Sequence, residues 1–153
     1  MAHDGDRFLS TVNEMFSEKI PFNKLLGLTI GSIDHGRVQV SFPMRDELMG
    51  HYARGMVHGG SYPRSLNVTG GLCAFMGVQE KMADKSLHGK FEKFGRVSTI
   101  YLRVDFLRPG LGSVFTATAF PLRLGNKVAV TRIELTNEKQ ELIAVGTGSY
   151  IVA

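Results

Sequence analysis

An α+β fold, in which a curved antiparallel sheet wraps around one long central helix, is what this 153-residue sequence predicts. Three observations lead there. The stretch 59–82 carries Leu66, Val68, Leu72, Cys73, Phe75, Met76 and Val78 on most of its sides, which implies a buried helix. The run 98–107 alternates Ile100, Leu102, Val104 and Phe106 with Tyr101, Arg103 and Asp105, the period of a half-buried strand. Three more β-rich runs follow it, separated by turn residues, as in a meander.

In chain order, residues 7–20 place Phe8, Leu9, Val12, Met15 and Phe16 on one helical face, and Pro21 stops that helix. Residues 22–26 read as a short helical turn capped by Gly27. Residues 28–33 and 37–42 flank the turn-prone Asp34-His35-Gly36 and form a hairpin. Residues 44–57 read as loop. Pro63 is tolerated only in a first helical turn, which independently sets the central helix start near 60–62. Beyond Pro109-Gly110, strands are expected at 114–122, 127–136 and 141–152, with turns at Gly125-Asn126 and Asn137-Glu138. Neither a repeat nor a linker interrupts the chain, so 1–153 reads as a single domain. Such a sheet has exposed edges, and pairing two copies edge to edge covers one of them, so a dimer is expected.

Apolar residues make up 43% and charged residues 21%, the balance of a soluble globular protein. No run approaches membrane-spanning length, and the polar start Met1-Ala2-His3-Asp4-Gly5-Asp6 reads as neither a signal nor a transit peptide. The lone Cys73 excludes an internal disulfide and fits a reducing cytoplasm; deep in an apolar helix, it reads as core. The net charge is +4, with Lys81, Lys85, Lys90, Lys93 and Arg96 crowded together. This stretch is either a solvated loop or a landing site for phosphates. Nucleic acid is not the expected partner, since no base-reading motif accompanies the charge. His3, His35, His51, His58 and His88 lack metal-ligand spacing, so no metal is expected. No P-loop, G-x-S-x-G or G-x-G-x-x-G is present either.

The informative motif is His58-Gly59-Gly60, followed at once by the apolar helix. Glycines there leave backbone N–H groups bare, and a helix N-terminus adds partial positive charge, so the pair can polarise a carbonyl. Together with Gly55-Met56-Val57, with Val68-Thr69-Gly70-Gly71 and with Arg103-Val104-Asp105-Phe106-Leu107-Arg108-Pro109-Gly110, it resembles the hotdog-fold acyl-CoA thioesterases of the phenylacetate-pathway and 4-hydroxybenzoyl-CoA type. The segments Gly125–Val130 and Ala144–Gly148 extend the likeness, which runs from about residue 25 to the end.

The resemblance implies a sheet-wrapped central helix, a homodimer or dimer of dimers, and active sites at the dimer interface. It implies that the Gly60 N–H polarises the thioester carbonyl, with Gly59 beside it and His58 shaping the loop. A carboxylate nine residues after the histidine serves as nucleophile or general base in that family, and here the position is Asn67. Asparagine is nearly isosteric with aspartate but takes no proton near neutral pH, although it can orient water or hold substrate.

The neighbourhood departs as well. Ser61, Tyr62, Pro63 and Arg64 stand where relatives carry small or aliphatic residues. Arg64 at the start of a buried helix needs a partner: a substrate carboxylate, a CoA phosphate, or Glu47 or Asp46. His51 lies near the place where relatives carry an amide that positions the substrate, and an imidazole there can act as a base. The expected function is hydrolysis of acyl-CoA thioesters, with coenzyme A entering only as part of the substrate and no separate cofactor. Lys90, Lys93 and Arg96, assisted by Arg64 or Arg108, are the expected phosphate contacts. Two alternatives stay open: an impaired acyl-CoA or small-ligand binding module, and a different chemistry run by His51, Tyr62 or Ser61.

Overall fold

The computed structural model describes residues 4–34, 36–80 and 86–153. His3, His35, Lys81 and Lys85 lie outside them. The chain opens with helix α1 (Asp4–Glu14), a π-wound segment (Met15–Lys19) and α2 (Pro21–Leu26). Gly27, in the left-handed region at φ 71°, ends α2 by donating its N–H to Asn23 O and Lys24 O. The hairpin β1 (Thr29–Asp34) and β2 (Arg37–Pro43) follows. A short ribbon, β3 (Met49–His51) with β4 (Met56–Val57), then leads into α3 (Ser61–Glu80). Helix α4 (Leu87–Phe94) precedes β5 (Ser98–Phe106), β6 (Val114–Leu124), β7 (Val128–Asn137) and β8 (Leu142–Ile151).

Six strands form one antiparallel sheet in the order β1-β2-β6-β7-β8-β5, wrapped against α3 in the hotdog arrangement. The inward rows are Val38, Val40 and Phe42 on β2, Phe115, Ala117 and Ala119 on β6, and Ile133 and Leu135 on β7. They meet Leu66, Leu72 and Phe75 of α3, so the helix is apolar on most sides because most sides are buried, with Arg64 and Asn67 half-buried. Its far side lies under α1 and α4. Phe8 packs on Phe75 and Phe91 at ring-centroid distances of 5.8 and 5.2 Å, and Phe94 meets Phe16 and Phe75 at 5.2 and 4.7 Å. No helix of the described residues is long and apolar enough to cross a membrane.

Three features depart from the expectation. The basic stretch after α3 is not all loop. Ser86 caps α4 by accepting the Gly89 N–H at 3.3 Å, and Phe91 and Phe94, one turn apart, drive the helix onto the core. The segment 44–57 holds the β3–β4 ribbon, too short to carry a periodic signal. Most consequentially, β5 breaks its alternation at a bulge, since Thr99 pairs with Tyr150 and Tyr101 with Ser149. The extra residue, Ile100, is left 55% exposed, and Thr99 turns to the face that carries Tyr150. Phe106, at the other end of the strand, keeps the face of Leu102 and Val104 but is exposed. The outer edge of β5 pairs with no strand among the described residues.

Candidate active site

The His58-Gly59-Gly60 loop is tied down on both sides. His58 donates its N–H to Leu48 O at 2.6 Å, and Val57 donates to Gly110 O at 2.9 Å. The imidazole then folds back, and Gly60 N–H donates to His58 Nδ1 at 2.8 Å. A Cβ on Gly60 would stand 2.9 Å from that nitrogen, and one on Gly59 would stand 3.0 Å from the Phe106 ring, so neither position has room for a side chain. Ser61 N–H donates to His58 O and Tyr62 N–H to Gly59 O, at 3.0 and 3.2 Å. Pro63 has no N–H. Three donors at this helix end, those of Gly60, Ser61 and Tyr62, are therefore engaged locally, with Gly60 held by the neighbouring histidine. An imidazole accepting at Nδ1 carries its proton on Nε2.

Asn67 lies in a different place. Successive turns of α3 put Arg64, Asn67, Val68, Gly71 and Leu72 on one face, and that face lines a cavity of about 200 Å³. Phe16, Ile20, Phe94 and Val97 roof it, and Thr99 and Tyr150 close one end. The β5 bulge delivers Thr99 to Asn67, and the Thr99 hydroxyl donates to Asn67 Oδ1 at 3.0 Å. Tyr150 lies across the helix where Gly70 and Gly71 leave room, and its hydroxyl donates to Asn67 O at 3.3 Å.

Arg64 pairs with neither Glu47 nor Asp46. Its Nε donates to Asn23 Oδ1 at 2.8 Å, and its guanidinium lies 5.7 Å from the Phe22 ring centroid. Asn23 is fully buried and donates Nδ2 to Phe16 O at 3.0 Å, a carbonyl in the π-wound segment. Burial lowers the Arg64 pKa from its ordinary value, though a guanidinium stays cationic at neutral pH.

The remaining expected residues fall elsewhere. Tyr62 is buried, its ring 5.4 Å from that of Phe106 and its hydroxyl beneath Gly110, and burial raises its pKa. With Gly59 and Arg108 it lines a second cavity of about 320 Å³ that does not include Asn67. Arg108 spends Nη1 on Leu142 O at 2.9 Å. Ser61 is buried at the start of α3. His51 is exposed beside Tyr52 and lines neither cavity. Lys93 and Arg96 share a shallow cleft with Glu92, which already holds Arg96 at 2.8 Å. Lys90 turns away, with its Nζ 5.9 Å from the Phe8 ring centroid. Among the described residues no three His, Cys, Asp or Glu side chains converge. Asn23, Thr99 and Phe94 escaped the sequence reading, and Phe16 was legible only as part of a helical face. Only the i, i+3 phenylalanines of α4 carried a legible signal.

A family model described as the thioesterase superfamily matches residues 54–144. A Salmonella typhimurium protein named medium/long-chain acyl-CoA thioesterase YigI is 40% identical over 147 residues, covering 96% of this chain and 95% of its own. A Shewanella oneidensis crystal structure related to the thioesterase superfamily superposes with a TM-score of 0.91 at 41% identity, over 96% of each chain. A solved chain from Syntrophus aciditrophicus SB gives 0.89 at 49% identity, over 99% of this chain and 100% of that one. Fold and matches together define a thioester hydrolase of the hotdog class. The chain belongs to the thioesterase superfamily, through a segment that holds His58, Arg64, Asn67 and Thr99.

Proposed function

We propose that this protein hydrolyses medium- to long-chain acyl-CoA thioesters in the cavity beside Asn67. The observation that carries the reading is the polarity of that cavity. Arg64, Asn67 and Thr99 gather at one part of its wall, while Phe16, Ile20, Val68, Leu72, Phe94 and Val97 supply apolar surface. A thioester carbonyl belongs at the polar part and an alkyl chain against the rest. The relative named for medium/long-chain acyl-CoA supports the same chain length.

A second copy completes the site. The unpaired edge of β5 carries Ile100 and Tyr101, 55% and 58% exposed, which suits strand pairing with another β5. Within one protomer, the loop glycine Gly59 and Asn67 line separate cavities, so a shared site needs the partner's loop. CoA phosphates dock at Lys93, with Arg96 assisting after leaving Glu92. Lys93→Ala weakens CoA binding and flattens its salt dependence; unchanged affinity removes that residue from the site.

The test is free-thiol release from a panel of acyl-CoA esters, comparing the natural chain with Asn67→Asp. Turnover by the natural chain that rises with acyl length supports the reading. Turnover by the Asp form alone leaves a binding module. The occupied Oδ1 of Asn67 favours that second reading, because an uncharged amide already accepting from Thr99 cannot serve as base.

A further inference from the structure

We infer that Arg64, set by Asn23, and the Asn67 amide form a donor cradle for the oxyanion of the bound acyl group. The inference rests on the thioesterase reading and names what occupies the place of the missing carboxylate. Thr99 donates to Asn67 Oδ1, so the Nδ2 amino group is what Asn67 offers the cavity. One helical turn earlier on the same face stands Arg64, on the order of 5–6 Å away between Cβ atoms. Its Nε is taken by Asn23 Oδ1. Among the described residues neither terminal nitrogen has an acceptor, and no carboxylate balances the charge.

A half-buried, uncompensated guanidinium is costly unless an anion visits it. Asn23 spends both ends of its side chain, on Phe16 O and on Arg64, so it is a positioning residue, and the fork is aimed before substrate arrives. The donor expected at the loop to meet the carbonyl, Gly60 N–H, is meanwhile engaged by His58 Nδ1. The polar part of the cavity thus presents donors and no base.

The chemistry follows from that sign. Water adds to the thioester carbon and passes its proton to a second water, while the C=O π pair moves onto oxygen. Arg64 Nη and Asn67 Nδ2 receive that oxyanion. Its collapse restores C=O and breaks C–S; the departing CoA thiolate takes a proton from solvent, and the carboxylic acid so formed gives its own proton to water. The fatty carboxylate formed lies on the same donors, so the cradle also binds product.

The experiment compares the natural chain with Arg64→Met, Arg64→Lys and Asn23→Asp, each checked for folding by circular dichroism. Three quantities are read: hydrolysis of octanoyl-CoA, and calorimetric binding of octanoate and of octanol. Arg64→Met is expected to lower kcat about 10²–10³-fold with KM little changed. It weakens octanoate about tenfold or more and leaves octanol unaltered. Asn23→Asp keeps an acceptor for Nε and neutralises the cation but gives up the bond to Phe16 O, so it lowers Tm and, in the folded protein, weakens octanoate while sparing octanol. Arg64→Lys retains charge without the fork and falls between. Equal loss of octanoate and octanol makes Arg64 a mere wall and overturns the inference. So does octanoate binding that ignores Arg64 while the natural chain turns over. A natural chain that hydrolyses no acyl-CoA, yet binds octanoate through Arg64, overturns the thioesterase reading and leaves the cradle standing.

Discussion

Replacing Gly70 with alanine tests whether Tyr150 fixes the helical turn that carries Asn67. On helix propensity alone the change would stabilise, by about 1 kcal/mol. The packing says otherwise. A Cβ at Gly70 would run into the Tyr150 hydroxyl, and would stand 2.7 Å from Thr131 Oγ1 and 2.9 Å from Ile133 Cδ1. Tyr150 is a rigid ring with 1% exposure, and Thr131 is buried and β-branched, so neither yields cheaply. Overpacking of this kind costs about 1–3 kcal/mol, and contacts this short on rigid groups belong in the upper part of that range. Subtracting the propensity gain leaves a net loss of about 1–2 kcal/mol. For a chain of this length that lowers Tm by about 2–8 °C. Tyr150→Phe alone loses the bond to Asn67 O, worth about 1 kcal/mol. The double variant relieves the worst contact, so the two losses sum to more than the combined one, by about 0.5–1 kcal/mol. Urea unfolding of the four proteins measures the cycle. A Gly70→Ala protein more stable than the natural chain, or losses that simply add, would refute the packing argument.

Three other outcomes are expected. Burial pushes the Cys73 thiol up to about 12. Native protein at pH 8 therefore labels slowly with a thiol-reactive disulfide, and one equivalent reacts after denaturation; fast labelling of the native chain would contradict the burial. The sign is set by the raised pKa: the stabilisation is complete below about pH 8.5, where the unfolded thiol is neutral, and fades as pH climbs towards the folded value. Ile100→Lys with Tyr101→Glu charges the free edge of β5, and light scattering should then report monomers with lost turnover; an unchanged mass moves the interface elsewhere. Phe16→Ala opens the cavity roof at a cost of about 2 kcal/mol, below that of a fully buried phenylalanine. It should shift the kcat/KM ratio towards longer acyl chains, and an unaltered ratio would take Phe16 out of the substrate wall.

Much of the architecture was legible because it rests on periodicities within single elements. The largely apolar character of 61–80, Pro63 in its first turn and the turns at Gly125 and Asn137 each act over a few residues. The Asn137 turn closes through its own side chain, which accepts the Lys139 and Glu141 N–H groups. What escaped depends on partners far away in sequence. The β5 bulge is defined only by the register against Tyr150, and without it Thr99 would point away from Asn67. Asn23 looks like an ordinary polar turn residue until Arg64 arrives 41 positions later. Helix α4 is masked in the sequence by its lysines, whose charge suits a solvated loop as well as a helix that buries only Phe91 and Phe94. Likewise the loop donors looked open until the His58 ring was seen folded beneath Gly60.

The roof over Asn67 divides labour along the chain. The polar wall comes from α3 and β5, inside the stretch that defines the superfamily, whereas Phe16 and Ile20 come from the N-terminal segment outside it. Side chains in that segment reach the polar wall through Arg64, which Asn23 and the Phe22 ring hold, and Asn23 in turn hangs by a single thread from Phe16 O. The backbone carbonyl carries that thread, so even the identity of residue 16 is free to vary. Part of the apolar wall can thus change, at residues 16 and 20, while Asn67 and Thr99 keep their contact.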